Sequence, residues 1–121
     1  MSVIDQEAAR RFADEWVEAW NSHDLDRILE HYTEDFEFSS PRIVELMGDA
    51  SGRLVGKRAI RPYWARALER TPGLHFELLT VLAGIDSVVV YYKGSRGKLA
   101  AEQFEFDERG LVRRSAAHYA G

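Results

Sequence analysis

The sequence predicts an α+β domain in which three N-terminal helices pack on one face of a mostly antiparallel sheet. Apolar residues recur at three- and four-residue steps through the helical segments of the first 70 positions, and from Leu74 onward the chain reads as successive β-type runs. Short glycine-containing turns separate the C-terminal runs, so helices come first and sheet second, the order that segregates into an α+β layer pair. With 121 residues and 13.8 kDa, the chain is expected to form one domain, residues 1–121, and has no room for a second core. An apolar fraction of 45% with 12% aromatics lies far from the composition of disordered chains.

The first helix is expected over residues 3–21, where Ala8, Ala9, Phe12, Ala13, Trp16, Val17 and Trp20 form one stripe, with Ser2 or Asp5 as its cap. Asn21-Ser22-His23-Asp24 stops it, and Asp24 opens a second helix whose buried face holds Leu25, Ile28, Leu29 and Tyr32. At Phe36 the period changes to two, predicting a short strand through Ser40. Residues 41–56 hold Pro41, Gly48, Gly52 and Gly56 around an apolar patch and read as a long functional loop, a candidate lid. A third helix is expected over 57–70 from Ile60, Trp64 and Leu68, with a kink or restart at Pro62. Strands are expected over 74–83, 87–93, 98–107 and 111–119.

A net charge of −4 gives no general attraction for nucleic acid or anionic lipid, so neither is expected as a partner. The absence of cysteine removes disulfides, thiolate nucleophiles and thiolate-held metals, and fits a reducing cytoplasm. No apolar run approaches the ~20 residues of a membrane span, and the N-terminus lacks a secretory pattern. Val88–Tyr92 and Leu78–Ile85 show no polar alternation, so both faces of those strands need cover; a partner sheet in a homodimer is expected on the outer face.

Glu102 is the leading candidate for chemistry. Period two puts it on the face of Ala100, Phe104 and Phe106; if that face is a pocket wall, desolvation raises its pKa and suits it to shuttle a proton. The alternatives are a solvent-facing residue or an ion pair with Arg113 or Arg114. Trp16, Trp20, Tyr32 and Trp64 are spaced to point inward. Trp20 reads as core packing, whereas the indole N–H groups of Trp16 and Trp64 are also placed to serve a ligand oxygen. Alternation puts Tyr119 inward with Ser115 and Ala117, and His118 outward. The four histidines show no metal-ligand spacing, so no metal is expected. Ser39 and Ser40 lack a nucleophile elbow, and no phosphate-binding glycine loop occurs.

The order of elements, with Tyr32 after a short helix, a strand ending in Ser40-Pro41, Gly52 and Gly56-Lys57 before Ile60, and the Phe104-Glu105-Phe106-Asp107 to Gly110 turn, resembles the nuclear-transport-factor-2-like superfamily. Within it the chain is most similar to the SnoaL-like polyketide cyclases and ketosteroid isomerases. The resemblance implies a strongly curved sheet, a cystatin-like cone, around an internal apolar pocket, commonly in a homodimer and working without a cofactor. It aligns Glu102 with that family's protonated acid, Trp16 with its oxyanion-binding tyrosine, Ser40 with its general-base aspartate and Tyr32 with a supporting tyrosine; Trp64 replaces another. A serine hydroxyl cannot take an α-proton as a carboxylate does. The expected pocket is lined by Trp16, Tyr32, Phe36, Phe38, Trp64, Glu102, Phe104 and Tyr119, with Ser40 and Glu102 as the reactive pair. Two functions follow: a cofactor-free isomerase, cyclase or lyase acting on an apolar carbonyl compound, or binding and sequestration of a small apolar metabolite.

Overall fold

The first helix begins where the sequence supplies a cap: the Asp5 carboxylate accepts from the Ala8 N–H at 2.7 Å. A computed structural model describes residues 4–120, so the alternative cap Ser2 lies outside the described residues. Helix α1 (Gln6–Ser22) buries Ala9, Ala13, Trp16, Val17, Ala19 and Trp20, and ends at His23, which adopts φ 62° while its N–H donates to the Trp20 carbonyl. Asn21 therefore lies inside the helix rather than ending it. Its amide bridges Phe76, donating to that residue's carbonyl at 3.0 Å and accepting from its N–H at 2.7 Å.

Asp24 caps α2 (Leu25–Leu29) through the Arg27 N–H at 3.2 Å. Tyr32, expected on that helix, is instead the first residue of β1 (Tyr32–Ser39). The backbone is captured by the far end of the chain, since the Val112 N–H donates to the His31 carbonyl at 2.8 Å and Tyr32 pairs with Val112.

Residues 41–56 are not a loop: they form α3 (Pro41–Met47) and β2 (Arg53–Val55). Ser40 caps α3 by accepting from the Arg42 N–H at 3.2 Å, Pro41 takes the first helical position, Gly48 closes it at φ 68°, and Ile43 is its buried anchor. Four α-helices, not three, are thus present among the described residues. Helix α4 (Lys57–Arg70) runs through Pro62 instead of restarting there. Pro62 and Arg58 are both exposed, so water can satisfy the Arg58 carbonyl that the missing N–H leaves free.

Strands β3 (Glu77–Ala83), β4 (Ser87–Lys93), β5 (Leu99–Phe106) and β6 (Val112–Tyr119) complete a six-stranded sheet in the order β2-β1-β6-β5-β4-β3. Neighbours are antiparallel except β1 and β6, which run parallel, so the sheet is mixed. It is open, with β2 and β3 as its edges. The inner face holds Val88, Val90 and Tyr92 of β4 beside Ala100, Glu102 and Phe104 of β5, all buried beneath the helices. Val89 and Tyr91 face outward, half-buried, and Leu82 of β3 is exposed.

Candidate functional site

A cavity of about 360 Å³ opens between α1, α3, α4 and the inner face of the sheet. Buried aromatic side chains of Trp16, Trp20, Phe38, Trp64 and Tyr92 form its depth, Glu102 and Tyr119 stand on its sheet side, and exposed Arg42, Leu46, Arg70, Arg96 and Lys98 surround its mouth. The aromatic lining is tightly interlocked: Trp16 stacks on Phe76 with centroids 5.6 Å apart, and Trp20 meets Trp64 edge-on at 5.2 Å.

Glu102 reaches the cavity because β5 alternates strictly, burying Ala100, Glu102 and Phe104 while Leu99 and Gln103 face solvent. It is 5% exposed and, among the described residues, its carboxyl has neither a cationic nor a hydrogen-bonding partner. Burial alone pushes its pKa up to about 8. The ion-pair alternative is not realised: Arg113 binds Glu105 at 3.2 Å, and Arg114 lies 3.8 Å from Glu37 and 3.7 Å from Glu105.

Three phenols feel the Glu102 charge. Burial, reinforced by Glu102, pushes Tyr119 up to about 12 and holds Tyr32 and Tyr92 well above the ordinary phenol range, so all keep their protons at neutral pH. The Arg42 guanidinium lies 4.1 Å from the Tyr119 ring centroid and draws the Tyr63, Tyr92 and Tyr119 values down against burial.

The expected site residues divide into two groups. Trp16, Phe38, Trp64, Glu102 and Tyr119 meet around the cavity, whereas Tyr32, Phe36 and Phe104 are fully buried and are not among its lining residues. The Trp16 N–H is already used, donating to the Tyr32 hydroxyl at 3.0 Å. Trp20 behaves conversely: it lines the cavity, and its buried N–H has no partner among the described residues. Ser40 is buried and does not line the cavity, and its hydroxyl serves the α3 cap and lowers the pKa of the neighbouring Tyr63 and Tyr119 phenols.

Tyr92, Arg42 and Tyr63 were absent from the sequence reading of the site. Tyr92 was within its reach, since Val88, Val90 and Tyr92 share one face by period two. Arg42 depends on α3, where the sequence predicts a loop, whereas Tyr63 lies on the expected helix α4, one residue before Trp64. His118 is exposed on the outer face, and among the described residues no cluster of three His, Asp or Glu side chains is placed to hold a metal ion. No helix among them is long and apolar enough to cross a membrane.

The sequence profile of the SnoaL-like domain family matches residues 13–119. The chain is similar to a crystal structure of a SnoaL-like protein of unknown function from Burkholderia thailandensis, with 50% identity, a TM-score of 0.96, and 99% of this chain and 100% of that one covered. A protein of unknown function with a cystatin-like fold from Methylobium petroleophilum shares the fold at 19% identity and TM-score 0.74, over 98% of this chain and 80% of that one. So does SalBIII, an epoxide hydrolase/cyclase-like enzyme in pyran ring formation in the polyether salinomycin, at 19% identity and TM-score 0.74, over 96% and 93% of the two chains. A comparison with curated proteins finds no match.

Proposed function

Because the chain belongs to the SnoaL-like domain family, we propose that its cavity is a cofactor-free acid–base site for an apolar carbonyl compound, catalysing an isomerisation or ring closure. The observation that carries this reading is Glu102, an unpartnered carboxyl buried at an aromatic cavity with a pKa of about 8. A value near the working pH lets one group both accept and return a proton.

In its ionised form Glu102 takes a proton from the carbon beside the carbonyl, and the C–H electron pair moves through that carbon onto oxygen as an enolate. Tyr119 and Tyr92, which keep their protons at neutral pH, are the donors for that oxygen. The protonated Glu102 then returns the proton at a second carbon, completing an isomerisation. Alternatively, the enolate carbon attacks another carbonyl of the same molecule, and the proton passes to the new alkoxide. Trp16 takes no part, since its N–H is given to Tyr32, and Ser40 takes none, since it does not line the cavity and its hydroxyl oxygen accepts from the Arg42 N–H as the α3 cap. SalBIII, whose role is in pyran ring formation, supports ring closure as chemistry this fold can host.

One observation favours binding without turnover: among the described residues Glu102 is the only Asp, Glu or His side chain lining the cavity, so no second carboxylate there relays the proton. Native mass spectrometry of protein purified without added ligand identifies a copurified compound, and Glu102→Gln then separates the readings. An acid–base role predicts turnover reduced by about 10²–10⁴-fold with binding retained. Unchanged turnover, or a compound that wild type binds and never converts, would contradict catalysis by Glu102.

A further inference from the structure

The mouth of the cavity carries a charge that a purely apolar compound does not use. Arg42, Arg70, Arg96 and Lys98 all line it, and the single acid among the lining residues is Glu102. This runs against the composition of the chain, in which 20 acidic residues outnumber 16 basic ones. The contrast extends to pairing. Among the described residues Arg10, Arg11, Arg27, Arg53, Arg61, Arg109, Arg113 and Arg114 each sit in an ion pair; the four cations at the mouth do not, nor do Lys57, Arg58, Arg66 and Lys93, which lie outside this cavity.

The four cations come from three separate parts of the chain. Arg42 lies in the first turn of α3, Arg70 is the last residue of α4, and Arg96 and Lys98 belong to the β4–β5 connection. Arg96 adopts φ 66° and ψ 20°, a left-handed conformation that disfavours any residue with a side chain, and it does so at the cavity rim. Burial keeps Glu102 largely protonated at neutral pH, so the cavity then presents positive charge with little to offset it. Low-dielectric walls lined by one sign of charge focus the field and concentrate ligands of the opposite sign.

We infer that the cavity takes an amphipathic anion: a carbonyl compound whose apolar body lies against Trp16, Trp20, Trp64 and Phe76 and whose carboxylate or phosphate sits among Arg42, Arg70, Arg96 and Lys98. This rests on the proposed reading of the cavity as a small-molecule site and narrows its substrate class. The apolar body supplies affinity through the aromatic depth, and the charged head fixes which end enters first. Arginine suits this duty, because its planar fork matches a carboxylate or phosphate with paired donors.

Two fluorescent probes that differ by one anionic group test the inference: anilinonaphthalene sulfonate and the uncharged N-phenylnaphthylamine. Each is titrated into the wild-type protein and into the Arg70→Gln/Arg96→Gln/Lys98→Gln variant, at low salt and in about 1 M NaCl, where the screening length falls to about 3 Å. The expected result is that the sulfonate binds about tenfold more tightly than the neutral probe at low salt, with the ratio collapsing toward one in the variant and in high salt. Equal binding of the two probes to wild type overturns the inference while leaving the apolar cavity in place. A ratio that survives the triple substitution also overturns it, because Arg70, Arg96 and Lys98 then take no part in holding the anion. Failure of both probes to bind contradicts the small-molecule reading on which the inference rests.

Discussion

A carboxyl group that burial pushes to about 8 makes stability depend on pH in the opposite direction from a salt-bridged acid. The unfolded chain releases the Glu102 proton at the ordinary value of 4.5, while the folded chain keeps it until about 8. Between those values the folded state binds more protons, so the contribution of this group favours folding less as pH rises, and it is constant above and below the window. Glu102→Gln removes the titration without removing volume. Urea melts of the two proteins are expected to coincide near pH 4 and diverge toward pH 8, the variant becoming the more stable by a few kcal/mol. A constant gap across that range would contradict an unpartnered Glu102. The same substitution made in an ion pair would weaken the fold, but the arginines that alternation placed near Glu102 are held by Glu37 and Glu105.

The elements that the sequence made legible are those whose signals are local. Asp5 and Asp24 announce two helix starts, and an apolar run between two glycine-containing turns delivers β4 with Ser87 and Lys93 as its ends. Period two also places Glu102 beside Ala100 and Phe104 on the inner face. The parallel pairing of β1 with β6 joins residues about eighty positions apart, which no local pattern encodes, so Tyr32 reads in the sequence as part of the preceding helix. Helix α3 was missed for a different reason. Its start and stop are written in Ser40, Pro41 and Gly48, yet seven residues offer only one buried anchor, Ile43, so its periodicity is weak. The roles of Trp16 and Trp20 exchanged because a donor's partner depends on the three-dimensional neighbour: Tyr32 takes the Trp16 N–H, and among the described residues nothing takes that of Trp20. As a cap rather than a base, Ser40 is expected to cost about 1 kcal/mol of stability when changed to Ala, with turnover of an identified substrate falling far less than for Glu102→Gln. A loss of turnover equal to that of Glu102→Gln, without a shift in melting, would assign Ser40 to the chemistry instead.

At the scale of the whole molecule, helices cover one face of the sheet and leave the other to be covered. Leu82 pairs across the sheet with Val89, Val89 with Gln103 and Gln103 with Ala116, forming a row on the outer face. Leu82 is 56% exposed, and Leu79 and Leu99 add further apolar surface on β3 and β5. The same patch on a second copy, brought face to face, is the expected cover, since one self-complementary surface closes a two-fold dimer. Light scattering at micromolar concentration is expected to give twice 13.8 kDa for the wild type and a single copy for Leu82→Asp. A wild-type protein that remains a single copy under those conditions contradicts this arrangement. The cavity opens on the opposite side of the sheet, so pairing through the outer face leaves its mouth free.

The measurement that bears most directly on the account is a carbon-NMR titration of the side-chain carboxyls in protein labelled at glutamate. The account requires one glutamate carboxyl titrating near pH 8 in the wild type and absent from Glu102→Gln. A spectrum in which every carboxyl has titrated by about pH 5 would contradict it, because Glu102 would then be ionised at neutral pH and stabilised by a partner or by solvent.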